Sequence, residues 1–296
     1  MDYFGILKRA YQITLKHRFL WIFGILGGGY GGTRMANVSS FSGDTVSWDN
    51  FTSQTSSVSW ETFWSEYGAL ILSLALVFII FGIVALFLNI VSQAALIGSA
   101  NKLAVSEKSD FADGFMIGWH NFWRVLAVGL SFAVLCLAAV AIWLIPTIVL
   151  ASAGFIALAV IWGMLFLLVF LAFMVLIAII SPYALRVIVL RKLGIIQSIR
   201  EGLHLVRDHL GKVTIMYLLL ILANMVIGAA IVVAVILVGL VLFGVGYMFY
   251  LVTPILALIY GIIAAIAFLV AFFTLGGAYG AFTSSVLTLT YRELAK

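Results

Sequence analysis

Residues 194–213 read GIIQSIREGLHLVRDHLGKV, the densest run of charge in a 296-residue chain that is 65% hydrophobic. At 100° per residue the apolar side chains of this run share one stripe and the charged ones take the other side. The pattern predicts an amphipathic helix at a membrane interface, with basic side chains toward anionic headgroups. The predicted headgroup contacts are Arg200, Arg207 and Lys212. The apolar stripe consists of Ile195, Ile196, Ile199, Leu203, Val206, Leu210 and Val213.

The sequence on both sides of this run is uncharged and long enough to cross a membrane. Only 9% of residues are charged and the mean hydropathy is +1.24, which excludes an ordinary soluble globule. A helix needs about 20 apolar residues to cross roughly 30 Å of hydrocarbon, where every backbone group must bond internally. We predict one all-α membrane domain over 1–296, with six spans at about 19–33, 67–98, 125–145, 150–182, 213–243 and 255–286.

The distribution of Lys and Arg predicts how the spans are oriented. Fifteen of the 16 basic residues fall in four segments, and the exception is Arg34. Because cytoplasmic loops carry the excess of Lys and Arg, both termini are expected in the cytoplasm of a cell-membrane protein. Residues 34–66 then form an extracytoplasmic loop. Its aromatic stripe in SWETFWSEY (59–67) predicts an interfacial anchor or, alternatively, a docking face. The basic segments are 1–18, 99–124, 186–212 and 287–296.

Internal similarity predicts three pseudo-repeats. Related tetrapeptides follow the even-numbered spans, and their starts are separated by 90 and then 101 residues: NKLA (101–104), RKLG (191–194) and RELA (292–295). DGFMIGWHNFWRV (113–125) also aligns without gaps on EGLHLVRDHLGKV (201–213). The units are roughly 1–104, 105–194 and 195–296, each an interfacial helix followed by a helical hairpin.

The N-terminal segment 2–18 takes the part of the interfacial helix in the first unit. We expect a basic face that holds two headgroup contacts, Lys8 and Lys16. The predicted apolar face consists of Phe4, Leu7, Tyr11 and Leu15.

The predicted spans contain no ionisable residue, so their strongest polar groups are Asn89, Ser92, Gln93 and Asn224. These groups either hydrogen-bond between helices in a packed core or line a path for a neutral or amphipathic solute. Coupled carriers usually keep ionisable residues in their spans, which favours the packed core.

Glycine spacing predicts close helix packing, within the chain or between protomers. Small residues four apart let two backbones approach each other in a membrane. This spacing occurs twice, at Gly24, Gly28 and Gly32 and at Gly276 and Gly280.

The sequence lacks the patterns of common catalytic and metal sites. Glu201 and His204 form one ExxH pair, but a di-metal bundle site needs a second pair. There is no HExxH, G-x-S-x-G or P-loop motif, and the single Cys136 excludes an intrachain disulfide. We expect no catalysis, no cofactor, no metal and no nucleic-acid partner.

RKLGIIQSIREGLHLVRDHLGKV (191–213), with Gly194, Ser198, Gly202 and Lys212, resembles the signature of a broad group of prokaryotic six-helix membrane proteins. That group includes the membrane domain of some glycerophosphoryl diester phosphodiesterases. The segment 101–126 is similar to the equivalent earlier part. No phosphodiesterase domain follows Lys296, so the resemblance implies a stand-alone membrane module and brings no catalytic residue.

These patterns together predict a non-catalytic membrane scaffold or subunit that engages lipids, a partner protein or further copies of itself. The alternative is an uncoupled transporter or channel component for a neutral or amphipathic solute.

Overall fold

A computed structural model describes residues 1–27, 60–105 and 108–295 of the chain. Gly28, Gly32 and most of the predicted loop 34–66 lie outside these residues. The described part folds into α-helices connected by short turns. In chain order they are α1 Tyr3–Lys16, α2 Phe19–Leu26, α3 Trp60–Ala104, α4 Phe111–Ser152, α5 Ile156–Arg191, α6 Ile195–Asp208, α7 Leu210–Val252 and α8 Pro254–Leu294.

Five of these helices, α3, α4, α5, α7 and α8, are long and apolar enough to cross a membrane. The protein is therefore a multi-pass integral membrane protein, and the residues that the structure describes are helical apart from short turns. Of the first predicted span, 19–33, the described residues include the short helix α2 and Gly27.

Helices α4 and α7 both extend beyond their predicted spans, and the turn after α4 lies later than predicted, whereas the turn at Thr253 lies within the predicted connection 244–254. Helix α4 continues through Pro146 to Ser152, and the turn to α5 contains Gly154 at φ +84°. Helix α7 likewise continues to Val252, and Pro254 occupies the first turn of α8, where its missing N–H costs nothing. A helix in hydrocarbon has no water to satisfy freed backbone groups, so it tends to continue through a single proline.

Two of the three predicted interfacial segments are helices of their own, and the third is continuous with the span that follows it. The helix is interrupted at His17, which separates α1 from α2, and at His209, which separates α6 from α7. The segment 113–125 instead forms one continuous helix with the span that follows it. The break at His209 is flanked by Asp208 and Gly211, which are poor helix formers, whereas the aligned segment HNFW (120–123) contains no glycine.

The packed core lies at one end of the long helices, which we call the basic end because α1, α6 and the ends of α3, α5 and α8 meet there. Three apolar clusters build it. The first joins α1, α2 and α3 to α7 and α8, the second joins α3 to α4 and α5, and the third joins α5 to α6, α7 and α8. Helices α3, α5 and α8 also contact one another in the middle.

Away from the basic end the helices stay paired within the α4–α5 and α7–α8 hairpins but bury almost no side chains. Their large apolar side chains are exposed, and we call these parts the splayed halves. In α3, α7 and α8 the most apolar 18-residue window is 0% buried. The exposed halves present apolar side chains around the whole helix, which is the surface expected of helices surrounded by lipid.

Candidate functional site

Helix α6 packs on the bundle through one edge of its apolar stripe. Ser198, Gly202 and Val206 are buried. A Cβ at Gly202 would lie 3.0 Å from the backbone nitrogen of Ala184, so glycine permits this close approach of α6 to α5. The other edge of the stripe stays exposed and consists of Ile196 and Leu203, and Leu210 at the start of α7 is exposed as well.

Basic side chains border this exposed edge. Arg200 and Arg207 are exposed and lie within about 40° of Ile196 around the helix axis. Glu201 lies on the far side of the helix, where it pairs with Arg191. Lys212 is also exposed, at the start of α7. Apolar and cationic groups next to each other match the boundary between acyl chains and anionic headgroups.

Helix α1 has a similar organisation, because it packs through one face and leaves most of its predicted apolar face exposed. Ile6, Ala10 and Ile13 are buried against the bundle, and the side chain of Arg9 donates to the carbonyl oxygen of Ala104 at 2.7 Å. Three residues of the predicted apolar face are instead exposed: Phe4, Tyr11 and Leu15. Lys8 and Lys16 are exposed as well.

The first turns of α4 also have one packed face and one exposed apolar face. Gly114 and Gly118 are buried, and a Cβ at Gly118 would lie 2.3 Å from the carbonyl oxygen of Val91. Met116, Trp119 and Trp123 are exposed. Each of the three predicted interfacial segments thus has one packed face and one exposed apolar edge, and on α4 and α6 the packed face is rich in small residues.

The structure brings three of the four predicted polar span residues together. Asn89 donates to the carbonyl oxygen of Leu26 at 3.3 Å, and Gln93 donates to the side-chain oxygen of Asn89 at 2.7 Å. Ser92 is buried on the same helix, beside Gly27. Asn224 is separate from them, because it is exposed on α7.

Arg186 is the residue that the sequence analysis missed. It is only 2% exposed, and its guanidinium donates to the carbonyl oxygens of Pro182 at 2.6 Å and Ser284 at 3.1 Å. The predicted fourth span ends at Pro182, which places Arg186 in a cytoplasmic segment. The apolar run VIVL (187–190) after it is the one signal that the helix continues.

A small cavity of about 20 Å³ lies beside Arg186, where α3, α5 and α8 meet. It has room for about one water molecule. Its walls are Gln93, Leu96, Ile97, Leu185, Arg186, Ser284 and Leu287.

A larger cleft of about 420 Å³ opens between α3, α4 and α5, and it shares Gln93 and Leu185 with the central cavity. Its polar side chains are Gln93 and Ser181. The rest of its wall is apolar: Leu86, Ile90, Val125, Leu126, Gly129, Leu130, Ala133 and Leu185.

Of the glycines predicted to pack, Gly24 and Gly280 lie at packed positions, whereas Gly276 does not. A Cβ at Gly24 would lie 1.9 Å from the carbonyl oxygen of Gly277, so the backbones of α2 and α8 meet here. Gly280 is buried nearby. A Cβ added at Gly276 would have no atom within 4 Å, and the neighbouring Gly277 makes the close approach instead.

The candidate metal ligands on α6 lie on its exposed side. His204 Nδ1 and Asp208 Oδ2 are 3.9 Å apart, and Glu201 pairs with Arg191. Within the described ranges, no three His, Cys, Asp or Glu side chains are grouped to hold a metal ion.

Comparison of the chain with protein families, curated proteins and solved structures gave no match. The resemblance to the membrane domain of glycerophosphoryl diester phosphodiesterases stays a prediction.

Proposed function

We propose that the protein is a non-catalytic membrane scaffold or subunit that engages anionic lipid at its basic end. The observation that carries this proposal is the organisation of α1, α6 and the start of α4. Each has a packed face and an exposed apolar edge, and on α6 Arg200 and Arg207 lie beside that edge. Such a surface inserts its apolar edge at the acyl boundary, and each basic residue contributes about 1 kcal/mol on an anionic membrane.

We propose six spans, with α2 as the start of the first, and both termini in the cytoplasm of a cell-membrane protein. The three-unit organisation draws support from burial at aligned positions of α4 and of α6 with α7. Gly114 and Gly202 are both buried, as are Val125 and Val213. The aligned acids Asp113 and Glu201 also each pair with a basic residue of the preceding tetrapeptide, Lys102 and Arg191.

The centre of the bundle is consistent with a pseudo-threefold arrangement of these units. By the spacing of the tetrapeptides, Gln93 and Ser284 are equivalent, and so are Leu96, Arg186 and Leu287. All five line the central cavity. The three apolar clusters each join a different pair of units, as a cyclic arrangement requires.

The alternative function is an uncoupled transporter or channel component. The cleft beside Gln93 favours it, because a polar side chain there faces an open space. The scaffold is favoured by the centre, where the cavity has room for about one water molecule. A protein partner or further copies of this chain would contact the exposed apolar halves of the hairpins.

Nitroxide labels at two adjacent residues of α6 test the interfacial role. In a Cys136→Ala background, the label at Leu203 lies on the exposed apolar edge and the label at His204 lies on the polar side. We expect the label at residue 203 to collide preferentially with oxygen, which concentrates in lipid, and the label at 204 with a water-soluble nickel chelate. Equal exposure of both labels to the nickel chelate would contradict the proposal.

A further inference from the structure

We infer that the cleft between α3, α4 and α5 binds one anionic phospholipid, with an acyl chain along its apolar wall and the phosphate toward Gln93 and Arg186. The inference rests on the proposed lipid-engaging role and assigns it a defined site and lipid class. It concerns a cleft inside the bundle, apart from the exposed edges of α1 and α6.

The cleft has one apolar end and one polar end. Leu86, Leu130 and Ala133 line it on the side of the splayed, lipid-exposed helix halves. Gln93 and Leu185 line it on the side of the packed basic end, where they also border the central cavity. A phospholipid likewise has an apolar end and a polar end, so its acyl chain would contact the apolar wall and its headgroup would lie at the polar end.

The volume and access of the cleft also suit a lipid. Its 420 Å³ falls within the range of about 300–1,000 Å³ that small-molecule sites occupy. It opens between helices whose remaining surface faces hydrocarbon, so a bilayer lipid can enter sideways, without passing through the protein.

Arg186 supplies the charge that selects an anion. A guanidinium stays protonated, and burying a charge is costly, so a guanidinium that is only 2% exposed needs a reason. The two equivalent positions hold Leu96 and Leu287, so the fold does not require a cation here. The carbonyl oxygens of Pro182 and Ser284 hold the guanidinium in place.

Contact between the phosphate and Arg186 is expected through water. The central cavity has room for about one water molecule, which can bridge the guanidinium to a phosphate oxygen. Gln93 offers a direct contact, because the described residues give its amide nitrogen one hydrogen bond, to Asn89. The second N–H of that amide is available to a phosphate oxygen.

The experiment uses the full chain, purified in mild detergent with equal amounts of phosphatidylglycerol and phosphatidylcholine of the same chain length. Native mass spectrometry then counts the lipids retained by each protein molecule. We expect one phosphatidylglycerol to be retained preferentially. Equal retention of the two lipids by the wild-type protein would overturn the inference.

Gly129→Phe fills the cleft, and Gly228→Phe is its matched control. Both glycines have no atom within 4 Å of an added Cβ, but only Gly129 lines the cleft. We expect Gly129→Phe to reduce phosphatidylglycerol retention about tenfold and Gly228→Phe to leave it unchanged. Unchanged retention in Gly129→Phe, or an equal loss in both variants, would overturn the site.

Arg186→Leu tests the charge, with Arg200→Leu as the surface control. Leucine already occupies the two equivalent positions, and an unfolding curve of Arg186→Leu checks that the variant folds. Because the variant removes the cation that selects an anion, we expect the preference for phosphatidylglycerol over phosphatidylcholine to fall about tenfold. If Arg186→Leu has no stable fold, Gln93→Leu measures the same preference at the cleft.

Two further arms separate the possible failures. Displacement of the retained lipid by millimolar inorganic phosphate would show a general anion site and overturn the assignment to a phospholipid. If Gly129→Phe has no effect while the nitroxides on α6 behave as expected, the cleft site fails and the proposed interfacial role stands. If the α6 labels fail as well, the proposed function fails with it.

Discussion

Single small residues determine where the helices of this protein touch. Gly24, Gly118 and Gly202 each lie where an added Cβ would come within about 3 Å of backbone on a neighbouring helix. The sequence identifies glycine-rich faces by their spacing, but it does not show which of two adjacent glycines faces the partner. Gly276 and Gly277 differ only by 100° of rotation around α8, and that rotation depends on tertiary packing.

Replacing these two neighbours by alanine should have opposite effects. In Gly277→Ala the new Cβ meets the side chain of Ile25 and the carbonyl oxygen of Trp21, each at 2.4 Å. We expect the free energy of unfolding to fall by about 1–3 kcal/mol. Gly276→Ala has open space and should be neutral or raise it by up to about 1 kcal/mol. SDS titration in detergent micelles measures both, and equal effects would contradict the close approach of α2 and α8.

His17, between α1 and α2, should make stability depend on pH. Burial, followed by the positive charge of Lys16, lowers the pKa of His17 from its ordinary 6.5, and Asp110 opposes this shift. The folded state therefore binds the imidazole proton of His17 less readily than the unfolded state does. The contribution of neutral His17 to the free energy of unfolding is complete above pH 6.5 and is lost as the pH falls below that value.

The wild-type protein should therefore lose more thermal stability than His17→Gln between one pH unit above and one pH unit below that value. Melting curves in detergent at the two pH values provide the comparison. An identical loss in both proteins would show that His17 does not contribute.

At the scale of elements, periodicity predicts α6 well because its charges alternate with apolar residues at the helical period. Length and lack of charge predict the long helices in the same way. The turn at Gly154 falls inside the predicted span 150–182, where apolar residues on both sides leave periodicity no signal for a turn. The burial of Arg186 depends on α8, whose Ser284 carbonyl lies about 100 residues later in the chain and is therefore invisible to any local pattern.

The polar groups of α3 and α7 should contribute differently to stability. Asn89 connects α3 to the end of α2 through the carbonyl oxygen of Leu26. Asn89→Leu should therefore lower the free energy of unfolding by about 1 kcal/mol, the usual size for hydrogen bonds between membrane helices. Asn224 is exposed on α7, so Asn224→Leu should have no cost. If Asn224→Leu is the more harmful of the two, Asn224 has a partner that this packing does not explain.

At the scale of the whole molecule, the chain divides into a packed basic end and splayed apolar halves. The hydrophobic effect drives helices together only where they would otherwise contact water, whereas lipid solvates an apolar helix as well as another helix does. The packed part also holds buried hydroxyl groups, among them Thr283, Thr288 and Thr290. Helix α7 alone is 43 residues, or about 65 Å, roughly twice the hydrocarbon thickness. We infer that the splayed halves lie in the hydrocarbon and that the basic end begins in the headgroup region, where α6 and the polar end of the cleft lie.

Cysteine labelling tests which side the basic end faces. Gln197 is exposed at the start of α6, whereas its neighbour Ser198 is fully buried and unsuitable for a label. In a Cys136→Ala background we expect a membrane-impermeant maleimide to label Ser53→Cys on intact cells and Gln197→Cys only after permeabilisation. Labelling of Gln197→Cys on intact cells would reverse the proposed orientation.

The depth of α8 in the bilayer decides whether the packed end really lies outside the hydrocarbon. Every buried residue of α8 is at Gly277 or later, so the lipid-exposed part is 254–276, about 35 Å long and centred near residue 265. If the whole uncharged stretch up to Tyr291 were embedded, the centre would lie near residue 272. Nitroxides at exposed positions along this helix report depth through the ratio of collisions with oxygen and with a nickel chelate. We expect that ratio to be greatest at Ile266 and already lower at Phe273, since the helix approaches the interface there. A maximum at Phe273 would place the packed end in lipid, and the separation of the molecule into two zones would then be wrong.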